Sequence, residues 1–82
     1  MPRFFFDTDD AIQFVTDEHG SELPDLAAAR HLARMALTEM MVDLARERDA
    51  AQCRAVVRDE AGTRLFTTRV TLSIDEDAEP SA

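Results

Sequence analysis

Carboxylates near the amino terminus are the residues whose type and spacing could most readily bind a metal ion. Four of them share this stretch of sequence, namely Asp7, Asp9, Asp10 and Asp17. Asp7, Asp9 and Glu18 also occupy the first, third and twelfth places of a calcium-binding EF-hand loop. That loop needs a ligand and a glycine where this chain has Ala11 and Ile12. The remaining alternatives are a looser divalent-cation site and, as we favour, solvated turn carboxylates.

Histidine and cysteine could supply zinc ligands or a nucleophile. His19 falls in a predicted turn and His31 on the outer side of a predicted helix, a spacing that does not indicate a zinc pair. Cys53 would need an adjacent base, and strand alternation turns the neighbouring Arg54 to the other face. We therefore expect Cys53 to be a small buried hydrophobe. No glycine-rich phosphate loop is present, and we predict a protein that is not an enzyme and has no catalytic residue, cofactor or metal ligand.

Composition limits the remaining classes of function. The chain has 82 residues, 45% of them apolar, and a net charge of −8 with nine arginines and no lysine. This size fits one small domain, and the acidic balance argues against nucleic acid as a partner. No apolar run approaches the length of a membrane span, so we expect no membrane contact. A single cysteine suits a reducing compartment, and we expect a cytoplasmic protein.

The first part of the chain predicts two strands and the turns between them. Arg3–Thr8 contains three phenylalanines, and Ile12–Thr16 is rich in β-branched and aromatic residues. A turn at Asp9-Asp10 joins the two strands, and Gly20 closes the next turn with a positive φ. Ser21–Leu23 is expected to add a short extended piece.

One long helix follows, from Leu26 to about Arg48, with Asp25 as its N-cap. Its core-facing stripe is predicted to comprise Leu26, Ala29, Ala33, Leu37, Met40 and Leu44. Three apolar residues lie toward the opposite side: Leu32, Met35 and Val42. These three are either a second seam that contacts a partner or ordinary surface hydrophobes.

Two more strands are predicted after the helix, Cys53–Arg58 and Arg64–Ile74. The second is longer than the first, so Val70 and Leu72 near its end must pair with another strand or form an open edge. The arginines of this hairpin are expected to form ion pairs with the amino-terminal acids within one sheet rather than between chains.

Two segments of the sequence echo one another, Phe14–Leu23 (FVTDEHGSEL) and Val56–Leu65 (VVRDEAGTRL). One interpretation is a duplicated hairpin with related roles in both copies. The other, which we favour, is shared turn chemistry, because such turns repeatedly select aspartate first and glycine last.

We predict an α+β fold of order β-β-α-β-β, with one long helix packed on one face of an antiparallel sheet. Residues 1–74 form the single domain and residues 75–82 an acidic tail expected to be disordered. The predicted core comprises Phe4 or Phe6 or both, Phe14, Leu26, Leu37, Met40, Leu44, Phe66, Val70 and Leu72.

Two stretches of the sequence suggest a family. They are the opening Met1-Pro2-Arg3-Phe4-Phe5-Phe6 and the later Asp17-x-x-Gly20-x-Glu22-Leu23-Pro24-Asp25-Leu26-x-x-Ala29-Arg30. Together they resemble a family of small bacterial proteins known only as a domain of unknown function. The turn Asp59-Glu60-Ala61-Gly62 fits that family as well. The family often has glycine where this chain has Ala11. A looser resemblance, over the first half of the chain, is to antitoxins of the HicB type. The first resemblance implies no activity.

The predicted function is a non-enzymatic protein-interaction or self-association module, most simply a homodimer. The alternatives are an antitoxin-like regulator that neutralises a basic partner and a weak carboxylate metal-binding protein. No small-molecule ligand is expected. The candidate interface residues are Leu32, Met35, Val42, Val70 and Leu72.

Overall fold

A computed structural model describes residues 1–77 of the chain. The elements in chain order are β1 (Arg3–Asp9), β2 (Phe14–Val15), β3 (Ser21–Glu22), α1 (Leu26–Ala45), β4 (Ala51–Arg58) and β5 (Arg64–Leu72). All strands belong to one antiparallel sheet, and α1 packs against it. The predicted α+β class is confirmed, with one short strand, β3, more than the predicted order.

The sheet is built around β1 and β4, which lie side by side. Its strands run in the order β2-β1-β4-β5. β2 pairs with the end of β1, and β3 pairs with its start. Phe5 of β1 lies opposite Arg58 of β4, and Asp9 lies opposite Arg54. β4 pairs with β5 from Ala51 onward, with one register irregularity between Val57 and Arg58.

The core lies between α1 and one face of the sheet, and small side chains let the helix come close. Phe4 and Val57 from the sheet pack with Ala29 and Ala33 from the helix. A second cluster joins Leu37 to Cys53 and Ala55. Each of these residues is at most 5% exposed.

Two residues of the predicted core are wrong. Phe14 is 59% exposed because β2 is a two-residue strand at the outer side of β1, away from the helix contacts with β4 and β5. Leu26 is 38% exposed because it is the first helical residue, a turn before the first buried one, Ala29. The other predicted core residues are buried or half-buried: Phe4, Phe6, Leu37, Met40, Leu44, Phe66, Val70 and Leu72.

Several predicted boundaries also change. The predicted strand Ile12–Thr16 shrinks to β2 because the Asp10 carboxylate accepts the N–H groups of Ile12 and Gln13 and turns the chain there. The helix ends at Ala45 rather than near Arg48. β4 begins at Ala51, two residues before the predicted start, and therefore pairs with the whole end of β5.

The predicted N-cap is confirmed, since the Asp25 carboxylate accepts the Ala28 N–H at 2.9 Å. Residues 75–77 of the acidic tail are exposed and have no regular structure, and the rest of the predicted tail lies outside the described residues. Within residues 1–77 no helix is both long and apolar enough to cross a membrane.

Candidate functional site

The sheet face opposite α1, hereafter the helix-free face, carries acids and arginines in register. Arg58 Nε lies 2.8 Å from Asp7 Oδ2, and Arg54 Nε lies 3.2 Å from Asp9 Oδ2. Both pairs join β1 to β4 within one chain. The expectation that the arginine hairpin neutralises the amino-terminal acids inside one sheet is therefore confirmed at these two positions.

Asp17 fastens the loop between β2 and β3 to this face. Its Oδ2 accepts the Phe6 N–H at 3.1 Å, and its Oδ1 accepts the N–H groups of His19 and Gly20 at 3.1 and 3.0 Å. Its own N–H donates to Asp7 Oδ1 at 2.9 Å, and its carbonyl accepts Arg58 Nη2 at 2.8 Å. One aspartate thus takes the place of a strand partner along the outer edge of β1.

These contacts shift the acid strengths of the carboxyls. Burial by itself would raise the pKa of Asp7, but hydrogen bonds from Arg58 and the Asp17 N–H, with the Arg58 charge, hold that pKa below its ordinary value. The pKa of Asp17 is also lowered, because the N–H donors of Gly20, Phe6 and His19 outweigh burial. Both carboxylates are therefore ionised and engaged at neutral pH.

Gly20 lets the same loop lie directly against β1. Its φ is +72°, and a Cβ there would come within 2.9 Å of Arg3 Cγ and Phe5 Cε2. Arg3 in turn pairs with Glu22 at 3.0 Å, and the Arg58 guanidinium stacks 4.6 Å over the Phe5 ring. Most residues of the Asp-x-x-Gly-x-Glu-Leu-Pro-Asp motif therefore have a structural task in the described chain.

Two shallow clefts open on the surface. The first, about 320 Å³, is lined by Asp9, Ala11, Gln52, Cys53, Arg54 and Arg69. The second, about 340 Å³, is lined by Phe6, Val15, Thr16, Asp17, Glu18 and His19. In the first, Arg69 lies opposite Arg54 in the β4–β5 register and makes no ion pair with a carboxylate of residues 1–77.

Cys53 lies at the first cleft with its side chain in the core. It is fully buried, and its sulfur lies 3.6 Å from the Leu37 carbonyl, to which the thiol donates. Burial, with the nearby Asp10 charge, raises the pKa of this thiol. The prediction of a buried hydrophobe is confirmed, and a protonated buried thiol is a poor nucleophile.

No group of three or more His, Cys, Asp or Glu side chains within residues 1–77 is arranged to hold a metal ion. His19 and His31 are both exposed. The amino-terminal carboxylates are instead bound by protein donors: Asp7 by Arg58, Asp9 by Arg54, Asp10 by Gln13 N–H and Asp17 by Gly20 N–H.

The outer edge of β5 is the next surface to consider. The sequence does not show which backbone groups of β5 point toward β4 and which point outward. Phe6 gives its N–H to Asp17 on the outer side of β1, so its pair with Val57 is not hydrogen-bonded. Alternation then turns the backbone groups of Val57 toward β5, where Phe66 is its partner. Along β5 the backbone groups of Phe66, Thr68 and Val70 therefore point toward β4, and those of the residues between them point the other way.

The backbone groups of three residues consequently point away from the sheet: Thr67, Arg69 and Thr71. Within residues 1–77 no strand pairs with this side of β5. These three residues were not among the predicted interface residues. Alternation alone could not identify them, because the sequence shows the period of a strand but not which backbone groups face its neighbour.

The predicted interface residues fall on two separate surfaces. Leu32, Met35 and Val42 are 38%, 44% and 49% exposed on the helix. Val70 and Leu72 are half-buried on β5, and Val70 packs with the cluster around Leu37 beneath the helix. The structure therefore does not bring the five together into one surface.

Residues 3–71 match the family described as Domain of unknown function (DUF6894), and the chain belongs to this family. The predicted resemblance to a family of unknown function is thereby confirmed at that level. No curated protein and no solved structure matches the chain.

Proposed function

We propose that this domain is a non-enzymatic protein-interaction module of the bacterial cytoplasm that binds its partner by extending the sheet at β5. The observation that carries this proposal is the contrast between the two outer edges of the sheet. The edge of β1 is covered by β2, by β3 and by the Asp17 carboxylate between them. The nine-residue edge of β5 has no such cover within residues 1–77.

An uncovered strand of this length offers a row of backbone donors and acceptors to an incoming strand. On β5 these are the groups of Thr67, Arg69 and Thr71. The strand contains no proline, which would remove a backbone donor from such an edge, and its charged residues are Arg64 and Arg69. Its half-buried Phe66 and Val70 would gain further cover from side chains of an added strand.

Thr67→Pro tests the proposal. Proline removes the outward N–H of Thr67 while leaving the bonds of Phe66 and Thr68 to β4 in place. Val70→Pro would instead remove a bond to β4, since Val70 lies in a hydrogen-bonded pair with Cys53. Thr67→Pro therefore separates partner binding from folding, which Val70→Pro does not.

The experiment compares tagged wild type and tagged Thr67→Pro, each produced in the native cells together with an untagged copy of the chain. We expect a partner, either the untagged copy or another protein, to be retained by wild type and lost by the variant. Matching circular dichroism spectra establish that both are folded. Recovery of the same proteins by both would overturn the proposal.

The exposed helix residues give the antitoxin-like alternative its one favourable observation. Met35 and Val42 flank Glu39 on the outer side of α1, and the chain carries a net charge of −8. An apolar stripe with an acid inside it suits a basic partner better than a second copy, which would bring like charges together. A basic partner that is lost by Met35→Glu with Val42→Lys, and kept by Thr67→Pro, would support this alternative.

Metal binding is the third candidate, and it would require the engaged carboxylates to release their present donors. Titration with Mg²⁺, Ca²⁺ and Zn²⁺, followed by amide chemical shifts, tests it. Saturable shifts confined to residues 7–17 would support a metal site, and unchanged spectra would exclude one.

A further inference from the structure

We infer that the strand added to β5 is the β5 of a second copy, paired antiparallel about a two-fold axis that passes through Thr68. This inference rests on the proposed function, because it names the partner of the same edge. The resulting dimer has one continuous sheet with both helices on the same face.

The direction of the backbone groups restricts which registers are possible. Hydrogen-bonded pairs across the new junction must join residues whose groups point outward, such as Thr67 and Arg69. A shift by one residue would turn each copy's helix-facing side chains to the wrong face. Allowed registers therefore differ by two residues, and the axis passes through Thr67, Thr68, Arg69 or a residue near them.

Among the axes that keep the faces aligned, the charge of Arg69 excludes the one that passes through Arg69. An axis at Arg69 sets the two copies of this arginine directly opposite each other, next to Arg54 on the neighbouring strand. Like charges directly opposite destabilise an antiparallel pair. An axis at Thr68 sets Arg69 opposite Thr67 of the second copy and avoids that pairing.

The Thr68 axis also gives favourable pairs on the helix-facing side. Phe66 lies opposite Val70 of the second copy, twice by symmetry, and Thr68 lies opposite itself. Aromatic–β-branched pairs and Thr–Thr pairs are among the combinations that stabilise antiparallel sheets. This axis also overlaps β5 over its full length, Arg64–Leu72.

At the junction the outward backbone groups of Thr67 in each copy pair with those of Arg69 in the other, and the two-fold axis makes the assembly closed. An unrelated peptide would need to supply a residue without positive charge opposite Arg69 and apolar residues opposite Phe66 and Val70. The chain's own β5 supplies all three.

The first test is the mass in solution. Light scattering at tens of micromolar should give twice the 9.2 kDa of one chain for wild type. Thr67→Pro, which removes a junction donor from both copies, should raise the dissociation constant at least tenfold. The control Met35→Glu with Val42→Lys alters only the helix surface and should remain dimeric. A wild-type species of 9.2 kDa overturns the inference.

The second test fixes the register. Thr68 lies in a non-hydrogen-bonded pair on the proposed axis, where Cα atoms are about 4.5 Å apart and a disulfide can form. In a Cys53→Ala background, Thr68→Cys should therefore cross-link on mild oxidation, whereas Val70→Cys should not, because its two copies are offset by four residues. Cys53→Ala removes the native thiol, which lies directly opposite position 70 on β4. Cys53→Ala alone is the blank. Cross-linking of Val70→Cys and not Thr68→Cys overturns the Thr68 axis.

The two proposals fail separately. A monomeric wild type that still retains a different protein, which Thr67→Pro loses, contradicts the second copy as partner and leaves sheet extension standing. A dimer that Thr67→Pro leaves intact contradicts both.

Discussion

The loops Asp17-Glu18-His19-Gly20 and Asp59-Glu60-Ala61-Gly62 differ in sequence at one position and behave differently in the fold. Both end on a glycine with positive φ, +72° at Gly20 and +85° at Gly62. A Cβ at Gly20 would meet atoms of Arg3, Phe5 and Phe4 at 2.9–3.0 Å, whereas a Cβ at Gly62 would meet nothing within 4 Å. Nearly the same four residues thus form a loop packed on a strand in one case and an exposed hairpin turn in the other.

The two aspartates differ in the same way. Asp59 uses one oxygen, Oδ1, to accept the N–H groups of Ala61 and Thr63 within its own turn. Asp17 uses both oxygens, and one of them reaches across to Phe6 on β1. The favoured interpretation of the sequence echo, shared turn chemistry, agrees with these local bonds. The two turns differ in their tertiary contacts, because only Asp17 also binds a residue of another strand.

Gly20→Ala should give the largest loss of stability. A left-handed φ costs an L-residue about 1–2 kcal/mol, and forcing a methyl group into packed atoms adds about 1–3 kcal/mol. We expect the free energy of unfolding to fall by roughly 2–5 kcal/mol. Urea denaturation measures it, with Gly62→Ala as the matched control, for which only the φ cost of about 1–2 kcal/mol applies. Equal losses in the two variants would contradict the packing difference.

Asp17→Asn should have the next largest effect. Asparagine has one acceptor oxygen in place of two, so either Phe6 or the Gly20 turn loses its acceptor, and the charge is removed as well. The expected loss is roughly 2 kcal/mol, as for hydrogen bonds to a charged group. Asp59→Asn keeps the single oxygen that its turn uses and should cost under about 0.5 kcal/mol. The same urea denaturation experiment compares them.

Acid should weaken the Asp17 loop through its lowered pKa. A carboxyl whose pKa is lower in the folded state than its reference value of 3.8 stabilises the fold fully above that value. This stabilisation is lost as the pH falls through the folded-state pKa of Asp7 and Asp17. We therefore expect wild-type stability to decline below about pH 4. Asp17→Asn should decline less steeply, and parallel pH profiles would show that Asp17 does not contribute.

Ala11→Gly should give the smallest effect and the opposite sign. Ala11 is the third residue with positive φ, +73°, and its N–H donates to Asp9 Oδ1 at 2.7 Å. Glycine removes the left-handed strain but adds freedom to the unfolded chain, so we expect a gain of about 0.5–1 kcal/mol. Thermal unfolding compares the variant with wild type, and a lower melting temperature would contradict the expectation.

Features that depend only on neighbours in sequence were predicted correctly. Asp25 caps the helix and Gly20 takes a positive φ, because each of these features depends on atoms a few residues away. The predicted burial of Phe14 and the predicted length of β2 were wrong. The Asp10 carboxylate accepts the backbone N–H groups of Ile12 and Gln13, and this turn overrides the strand propensity of the residues there.

The candidate site was only partly predictable for a related reason. The unpaired end near Val70 was expected because the preceding strand was predicted to be too short, but β4 begins at Ala51 and pairs with β5 as far as Leu72. The open edge is instead the outer side of β5, the last strand of the sheet within residues 1–77. Which of its residues point outward depends on a hydrogen bond between Phe6 and Asp17, two strands away. A sequence pattern shows that the backbone groups of a strand alternate in direction. It does not show which of them face the neighbouring strand.

The pairing of β1 with β4 also determines the order in which the chain can fold. Asp9 and Arg54 are 45 residues apart, and Asp7 and Arg58 are 51 apart, whereas β4 and β5 join through a short turn. Closing this long loop costs more entropy than closing the β4–β5 turn, so we expect the β4–β5 hairpin to form first and to have two open sides until β1 pairs with it. A second hairpin could occupy the place of β1 during that interval. Arg54 and Arg58 select against it, because β5 would offer them Arg64 and Arg69, and only β1 offers the acids Asp7 and Asp9.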